Sequence, residues 1–162
     1  MAFSSTQITS TTGIQLKKDA CVVVVTTEWN AHVIDILEAG CLKVLREHNV
    51  AIKQLRVPGA FEIPFAIHAY WETTKYHSCK ADAFIALGCV IKGDTPHFEY
   101  VCSAVTNGIA ELNLKLPVPS IFGVLTVNNQ QQADERTGGI HGHKGEEAAA
   151  TAIKMIALSQ SF

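Results

Sequence analysis

The sequence predicts an α/β protein with a four-stranded parallel sheet and helices on both faces. Four apolar or alternating segments typical of strands are each followed by a helix-like segment. Such alternation favours a parallel sheet joined by right-handed crossovers. The chain has 162 residues, 48% of them hydrophobic, which suits one domain with a substantial core. We therefore expect a single domain over residues 1–162 that begins with a polar tail at 1–19.

The first half of the chain contains two strand–helix units. The β-branched run Cys21–Val25 predicts the first strand, and Asn30 is a candidate cap for the amphipathic helix that follows. Val50–Val57 alternates between apolar and polar residues and predicts the second strand. After a Pro–Gly break, the next helix is expected to begin near Phe61 and to run towards Lys75.

The third unit carries the most informative histidine of the chain. Ala83–Ile91 reads as a buried strand, and Thr95 followed by Pro96 predicts a helix with Thr95 as its N-cap. His97 then falls in the first helical turn, where the helix dipole disfavours a second positive charge and the ring could exchange a proton with a ligand. From these residues alone, a surface histidine on an amphipathic helix is the favoured interpretation, since histidines are common at helix starts.

The last part of the chain completes the alternation. Ile121–Leu125 predicts the fourth strand, and Asn128 or Asn129 could cap a short helix that reaches Arg136 and ends at the following glycine pair. Residues 146–159, rich in Ala, Ile and Leu, predict the final helix. Since ligands of open parallel sheets bind at the carboxyl ends of the strands, we expect the chemistry to lie directly after each strand.

Composition excludes several classes of function. A formal net charge of −2 without a basic cluster gives no footprint for nucleic acid. No apolar run approaches the roughly 20 residues that span a bilayer, and the N-terminus lacks the features of a signal peptide, so we expect no membrane partner and a cytoplasmic location. The scattered cysteines form no Cys-x-x-Cys pair and are expected to be reduced and mostly buried: Cys21, Cys41, Cys79, Cys89 and Cys102.

Two short motifs are rejected on chemical grounds. Gly88 and Gly93 have the spacing of a phosphate-binding P-loop, but Asp94 stands where that loop requires Lys. His141 and His143 could ligate a metal, yet no third ligand follows at a typical spacing, so no metal site is expected.

Several linked segments resemble the 6,7-dimethyl-8-ribityllumazine synthase family, in the same order and from about residue 20 to about residue 160. They are Val57–Pro64, Gly88–Gly93, His97–Cys102, Phe122–Thr126, Glu135–Arg136 and Lys144–Gly145. The resemblance implies a three-layer flavodoxin-like sandwich. It also implies the penultimate step of riboflavin synthesis, in which 5-amino-6-(ribitylamino)uracil condenses with 3,4-dihydroxy-2-butanone 4-phosphate and releases phosphate and water, with no cofactor.

The resemblance also implies roles for particular residues. Trp29, where many members carry Phe, would stack on the pyrimidine, whose polar edge would meet the backbone of Cys89, Val90 and Ile91. His97 would transfer protons. The ribityl chain would contact Ala60, Phe61 and Glu62, and the phosphate would lie near Asp94, Thr95 and Arg136.

The family forms homopentamers, and the implied site straddles two subunits, with Phe122 closing over the pyrimidine from a neighbour. The short connection 138–145 favours a 60-subunit shell, although His143 replaces the more usual Asn there. Plainer roles remain open: Trp29 and Phe122 as core aromatics, and Arg136 as a helix-end cation. The alternative functions are a non-catalytic flavin- or lumazine-binding shell protein and a flavodoxin-like electron carrier.

Overall fold

A computed structural model describes residues 10–78 and 80–162, so most of the predicted polar tail lies outside the described residues. The strands of the main sheet are β1 (Cys21–Thr27), β2 (Ala51–Val57), β3 (Ala83–Ile91) and β4 (Ser120–Val127). A small hairpin consists of β5 (Thr137–Gly139) and β6 (Gly142–His143). The helices are α1 (Ala31–Glu47), α2 (Ile63–Thr74, preceded by a 3₁₀ turn at Ala60–Glu62), α3 (His97–Lys115), α4 (Gln130–Asp134) and α5 (Lys144–Ser159).

The main sheet has the order β2-β1-β3-β4, and all three of its strand pairs are parallel. Val24 at the centre of β1 pairs with Gln54 of β2 and with Ile85 of β3. β1 pairs with β3 only as far as Thr26 and Leu87, whereas β3 stays paired with β4 up to Ile91 and Val127. The predicted four-stranded parallel sheet is confirmed.

Helices cover both faces of the sheet because successive side chains of a buried strand point to opposite sides. Val22 and Val24 of β1 belong to a core shared with α1 and α5. Val23 and Val25 belong to a second core shared with α2 and α3. This is the three-layer flavodoxin-like sandwich that the sequence predicts. Within residues 10–78 and 80–162, no helix is both long and apolar enough to cross a membrane.

Two glycines allow α1 and α5 to approach closely. A Cβ on Gly145 would collide with the carbonyl oxygen of Leu37, and a Cβ on Gly40 would occupy the position of the His143 imidazole. The His143 ring also accepts a hydrogen bond from the Glu146 N–H through Nδ1 (3.4 Å), so it caps α5. This cap explains why α5 begins at Lys144, two residues before the predicted start.

The structure corrects the sequence-based expectations at three helix ends. Helix α3 begins at His97, and Pro96, not Thr95, occupies its cap position, where the Pro96 carbonyl accepts from the Glu99 N–H (3.1 Å). Asn30 lies at the cap position of α1 but makes no side-chain cap. Helix α4 ends at Asp134, before the glycine pair, which instead belongs to the antiparallel β5–β6 hairpin.

We predict that Gly145→Ala lowers the free energy of unfolding by about 2 kcal/mol or more, because the added methyl forces α1 away from α5. Gly93→Ala is the matched control, since a Cβ there meets no atom within 4 Å. Chemical denaturation followed by circular dichroism at one protein concentration compares the two variants. Equal stability of both would contradict the close helix contact.

Candidate active site

A cavity of about 440 Å³ opens at the carboxyl ends of β1, β2 and β3. Eight of the predicted site residues line it: Trp29, Ala60, Phe61, Glu62, Cys89, Val90, Ile91 and His97. Asn30, Gly59 and Val101 complete the lining. The structure therefore collects residues from four separate parts of the chain at the edge of the sheet where a ligand is expected.

Trp29 forms one wall of the cavity and is not a core aromatic, since 73% of its surface is exposed. Its backbone, in contrast, is anchored on two sides. The Trp29 N–H donates to the carbonyl of Pro58 (3.2 Å), and the buried Thr27 hydroxyl donates to the Trp29 carbonyl (3.3 Å). The indole is thus an open apolar surface on a fixed backbone, which suits stacking against a planar ligand.

The loop after β2 brings a carboxylate towards the indole. Gly59 is extended (φ −147°, ψ 178°), so its conformation does not require glycine. A Cβ there would lie 3.1 Å from Glu62 Oε2, a close contact that a small shift of the flexible carboxylate would relieve, and 3.7 Å from Trp29 Cδ1, which is ordinary contact. Glycine at position 59 therefore leaves the gap between an acceptor and a stacking surface open to a ligand.

The end of β3 forms the opposite wall. β1 stops pairing at Leu87, and beyond it the Cys89 carbonyl accepts from Asn30 Nδ2 (2.9 Å) on the β1 side, while β4 pairs with the other side of β3. Cys89, Val90 and Ile91 all line the cavity. Burial raises the pKa of the Cys89 thiol to about 11, with a smaller contribution from the charge of Asp134. The thiol is neutral near pH 7, so this wall offers backbone groups and apolar side chains, not a nucleophile.

His97 lies at the first position of α3, as the sequence predicts, and its exposed ring borders the cavity. The preceding turn is tied to the helix by Lys92, whose Nζ lies 3.5 Å from Glu99 Oε1 and 5.9 Å from the centre of the Phe98 ring. The cavity thus combines an imidazole, a carboxylate and a stacking surface. These groups can hold a polar planar ligand and transfer protons to or from it.

Four predicted site residues do not line this cavity. Asp94 and Thr95 lie in the exposed turn between β3 and α3. Phe122 lies on the edge strand β4 with 43% of its surface exposed, so it is not a core residue. It borders a second cavity of about 450 Å³ between β4 and α5, together with the Lys144–Glu147 ion pair (2.8 Å).

Arg136 belongs to the same side of the molecule as Phe122. Its carbonyl accepts from the Lys144 N–H (2.9 Å), and Lys144 borders the second cavity. Its guanidinium Nη1 donates to the Gln132 carbonyl in α4 (2.8 Å), a contact open to a cation that follows the C-terminus of a helix. Within one chain, the guanidinium of Arg136 and the imidazole of His97 are not parts of one cavity.

The sequence analysis did not assign Gly59, Val101 or Lys144 to a site and gave Asn30 a different role. Val101 follows His97 by one helical turn, so the i, i+4 spacing could have identified it. For Lys144, only its place in the Lys144–Gly145 segment of the family motif pointed to a functional role. Among residues 10–78 and 80–162, no group of three or more His, Cys, Asp or Glu side chains is arranged to hold a metal. His141 faces Glu135 instead (3.7 Å), and His143 faces α1.

Fold and cavity together define a flavodoxin-like α/β protein with a cavity at the carboxyl edge of its sheet. The sequence model of the 6,7-dimethyl-8-ribityllumazine synthase family matches residues 19–160. A protein of that name from Parabacteroides distasonis is 48% identical over 139 residues, which are 84% of each chain. One from Porphyromonas gingivalis is 46% identical over 88% of each chain. One from Bdellovibrio bacteriovorus is 46% identical over 87% of this chain and 76% of its own. The chain belongs to the 6,7-dimethyl-8-ribityllumazine synthase family.

The described cysteines differ in burial, which predicts an order of alkylation. Cys41 and Cys89 are buried, and burial raises the pKa of Cys41 to about 12. Cys102 on α3 is only partly buried; Cys79 lies outside the described residues. At pH 8 we expect iodoacetamide to label Cys102 well before Cys41 or Cys89. At the two buried positions a smaller fraction of the thiol is ionised, and the reagent reaches the sulfur less easily. Peptide mass spectrometry measures the order, with labelling in denaturant as the control. Faster labelling of Cys89 than of Cys102 would contradict the burial of the Cys89 thiol at the cavity.

Proposed function

We propose that this protein is a 6,7-dimethyl-8-ribityllumazine synthase. It condenses 5-amino-6-(ribitylamino)uracil with 3,4-dihydroxy-2-butanone 4-phosphate, releases phosphate and water, and so carries out the penultimate step of riboflavin biosynthesis. The observation that supports this most is the cavity that gathers Trp29, Glu62 and His97 in a chain matched by the family over residues 19–160.

The pyrimidine substrate occupies this cavity in our proposal. Its ring stacks on the exposed face of Trp29 and its polar edge bonds to backbone groups of Cys89–Ile91. The ribityl chain lies along Ala60 and Phe61, and its hydroxyls donate to the Glu62 carboxylate through charge-assisted hydrogen bonds. The gap that Gly59 leaves between Glu62 and Trp29 is where the two parts of this ligand meet.

The reaction places modest chemical demands on the protein. An amine attacks a ketone, phosphate is eliminated and a ring closes, and each step moves protons but no electrons between molecules. Holding the two substrates together supplies much of the rate. His97, beside the cavity, is the group we assign to proton transfer. No cofactor enters this proposal because the reaction needs no electron carrier.

We assign the phosphate of the second substrate to the turn at Asp94–Thr95 together with Arg136. The turn precedes the N-terminus of α3, where backbone N–H groups favour an anion, and the guanidinium adds a planar, permanently charged fork. We expect the main-chain N–H of Asp94, not its carboxylate, to face the phosphate, since two negative charges would repel each other.

The complete site combines two protomers in our proposal. Phe122 and Arg136 belong to the β4–α5 side of the chain, and His97 to the cavity at the ends of β1–β3. A neighbouring protomer that presents its β4–α5 side supplies both missing residues and covers exposed apolar side chains such as Trp29 and Phe61. We propose a homopentamer, a further 60-subunit shell, a cytoplasmic location, and a single domain.

His97→Ala and Arg136→Ala should affect different kinetic constants. We expect His97→Ala to lower kcat by about 100-fold, because proton transfer is lost, with little change in either KM. Arg136→Ala should raise the KM for the phosphate substrate by about tenfold or more. Formation of the lumazine chromophore is followed by absorbance. His77→Ala and Arg46→Ala, exposed residues at the opposite end of the sheet, are the controls. Unchanged rates in the first two variants would contradict the assignments, and a wild type without turnover would favour the non-catalytic shell protein.

Subunit mixing tests whether the site is shared. If His97 and Arg136 of one site come from different protomers, denaturing and refolding a 1:1 mixture of His97→Ala and Arg136→Ala creates some intact sites. Random association should restore about one quarter of the wild-type activity. Each variant refolded alone is the control. A mixture no more active than the average of the two variants would show that both residues act within one protomer.

A further inference from the structure

Asn30 is one of two described non-glycine residues with a left-handed backbone, and it occupies the turn between the Trp29 wall and helix α1 (φ 58°, ψ 41°). An N-cap residue normally has an extended backbone, and its side chain accepts a hydrogen bond from the first helical turn. Asn30 does neither, although its carbonyl accepts from the N–H groups of Val33 and Ile34 (2.9 and 3.1 Å). Its side chain is therefore available for another partner.

That partner is the backbone of the opposite wall. The Asn30 Nδ2 donates to the carbonyl oxygen of Cys89 at 2.9 Å, across 59 residues of sequence. Residues of a strand alternate the side to which their backbone groups point. Phe84 bonds towards the β4 side through Pro119, so Cys89, five residues later, points towards β1. β1 no longer pairs with β3 at this point. The Asn30 side-chain amide therefore makes the hydrogen bond to Cys89 that a longer β1 strand would have made with its backbone.

The same contact fixes the position of the indole. Trp29 is too exposed to be held by the packing of its own ring, and its backbone is bound to Pro58 on one side and to Thr27 on the other. The Asn30–Cys89 hydrogen bond adds a third anchor, from β3, directly after the indole. The distance between the stacking surface and the β3 backbone therefore depends on one side-chain amide.

We propose that Asn30 is a positioning residue that sets the width of the pyrimidine pocket by joining the Trp29 turn to Cys89. It acts through its neighbours and not on the reacting atoms. This inference rests on the proposed function, because it names the part of that site which holds the pyrimidine. The position requires a residue that tolerates a left-handed backbone and also carries a side-chain N–H donor. Asparagine meets both requirements, whereas glycine meets only the first.

The test uses Asn30→Gly and Asn30→Asp. Glycine keeps the backbone conformation and removes the donor. Aspartate has the same side-chain shape as asparagine and is an equally good N-cap residue. It replaces the donor Nδ2 by a carboxylate oxygen, which can only accept and therefore repels the Cys89 carbonyl. Loss of one hydrogen bond should raise the KM for the pyrimidine substrate about fivefold in Asn30→Gly, and Asn30→Asp should raise it further. The KM for the phosphate substrate should stay near the wild-type value, and the thermal midpoint should fall by only about 2–4 °C.

Asn49 provides the matched control, since it has the same residue type and the same left-handed backbone (φ 54°) just beyond the other end of α1. Asn49→Gly and Asn49→Asp should leave both KM values unchanged. A parallel rise of both KM values in the Asn30 variants, an unchanged pyrimidine KM, or the same rise in the Asn49 variants would overturn the proposal.

Hydrogen exchange separates this inference from the proposed function. A peptide covering residues 88–92 should exchange faster in Asn30→Gly than in the wild type or Asn49→Gly, whether or not the protein turns over the two substrates. Absence of wild-type turnover would reject the proposed function, and the exchange comparison would still decide whether Asn30 anchors β3. Equal exchange in all three proteins would overturn the anchoring role.

Discussion

The candidate site depends on the unequal lengths of two parallel strands at the centre of the sheet. β1 and β3 are paired up to Thr26 and Leu87, and both are buried on their two faces. Beyond that pair β1 turns away to Trp29, while β3 continues beside β4 to Ile91. The space between the two is the cavity. Burial of the strands fixes their register, since a slip of one residue would exchange the residues of the two cores.

The helices determine which groups surround this space. α2 and α3 pack on one face, and Gly108 of α3 accommodates the ring of Pro64 of α2, where a Cβ would collide. This packing places the start of α3, and His97 with it, beside the loop that carries Glu62. α1 and α5 pack on the other face, and α5 carries Lys144 to the second cavity. The helices of the two faces thus border different cavities.

The sequence predicted the strands well because burial leaves a strong pattern: all seven residues of β1 are buried, and β2 at the edge of the sheet half-buries Ile52, Leu55 and Val57. It also placed His97 at a helix start. It missed the β5–β6 hairpin, whose strands of three and two residues are too short to show periodicity. It could not find the Asn30–Cys89 hydrogen bond, because a contact across 59 residues leaves no local signal. Nor could residue spacing show that Arg136 lies outside the lining of the cavity that His97 borders.

The contact between Gly40 and His143 has a consequence for how this protein can vary. The imidazole fills the space that a side chain at position 40 would need, and the same ring caps α5. The two positions therefore form one steric unit, in which a side chain at position 40 requires the His143 ring to move from the α5 cap or to be replaced by something smaller. Substitution at one of these sites therefore changes what the other can accept, although about a hundred residues of sequence lie between them.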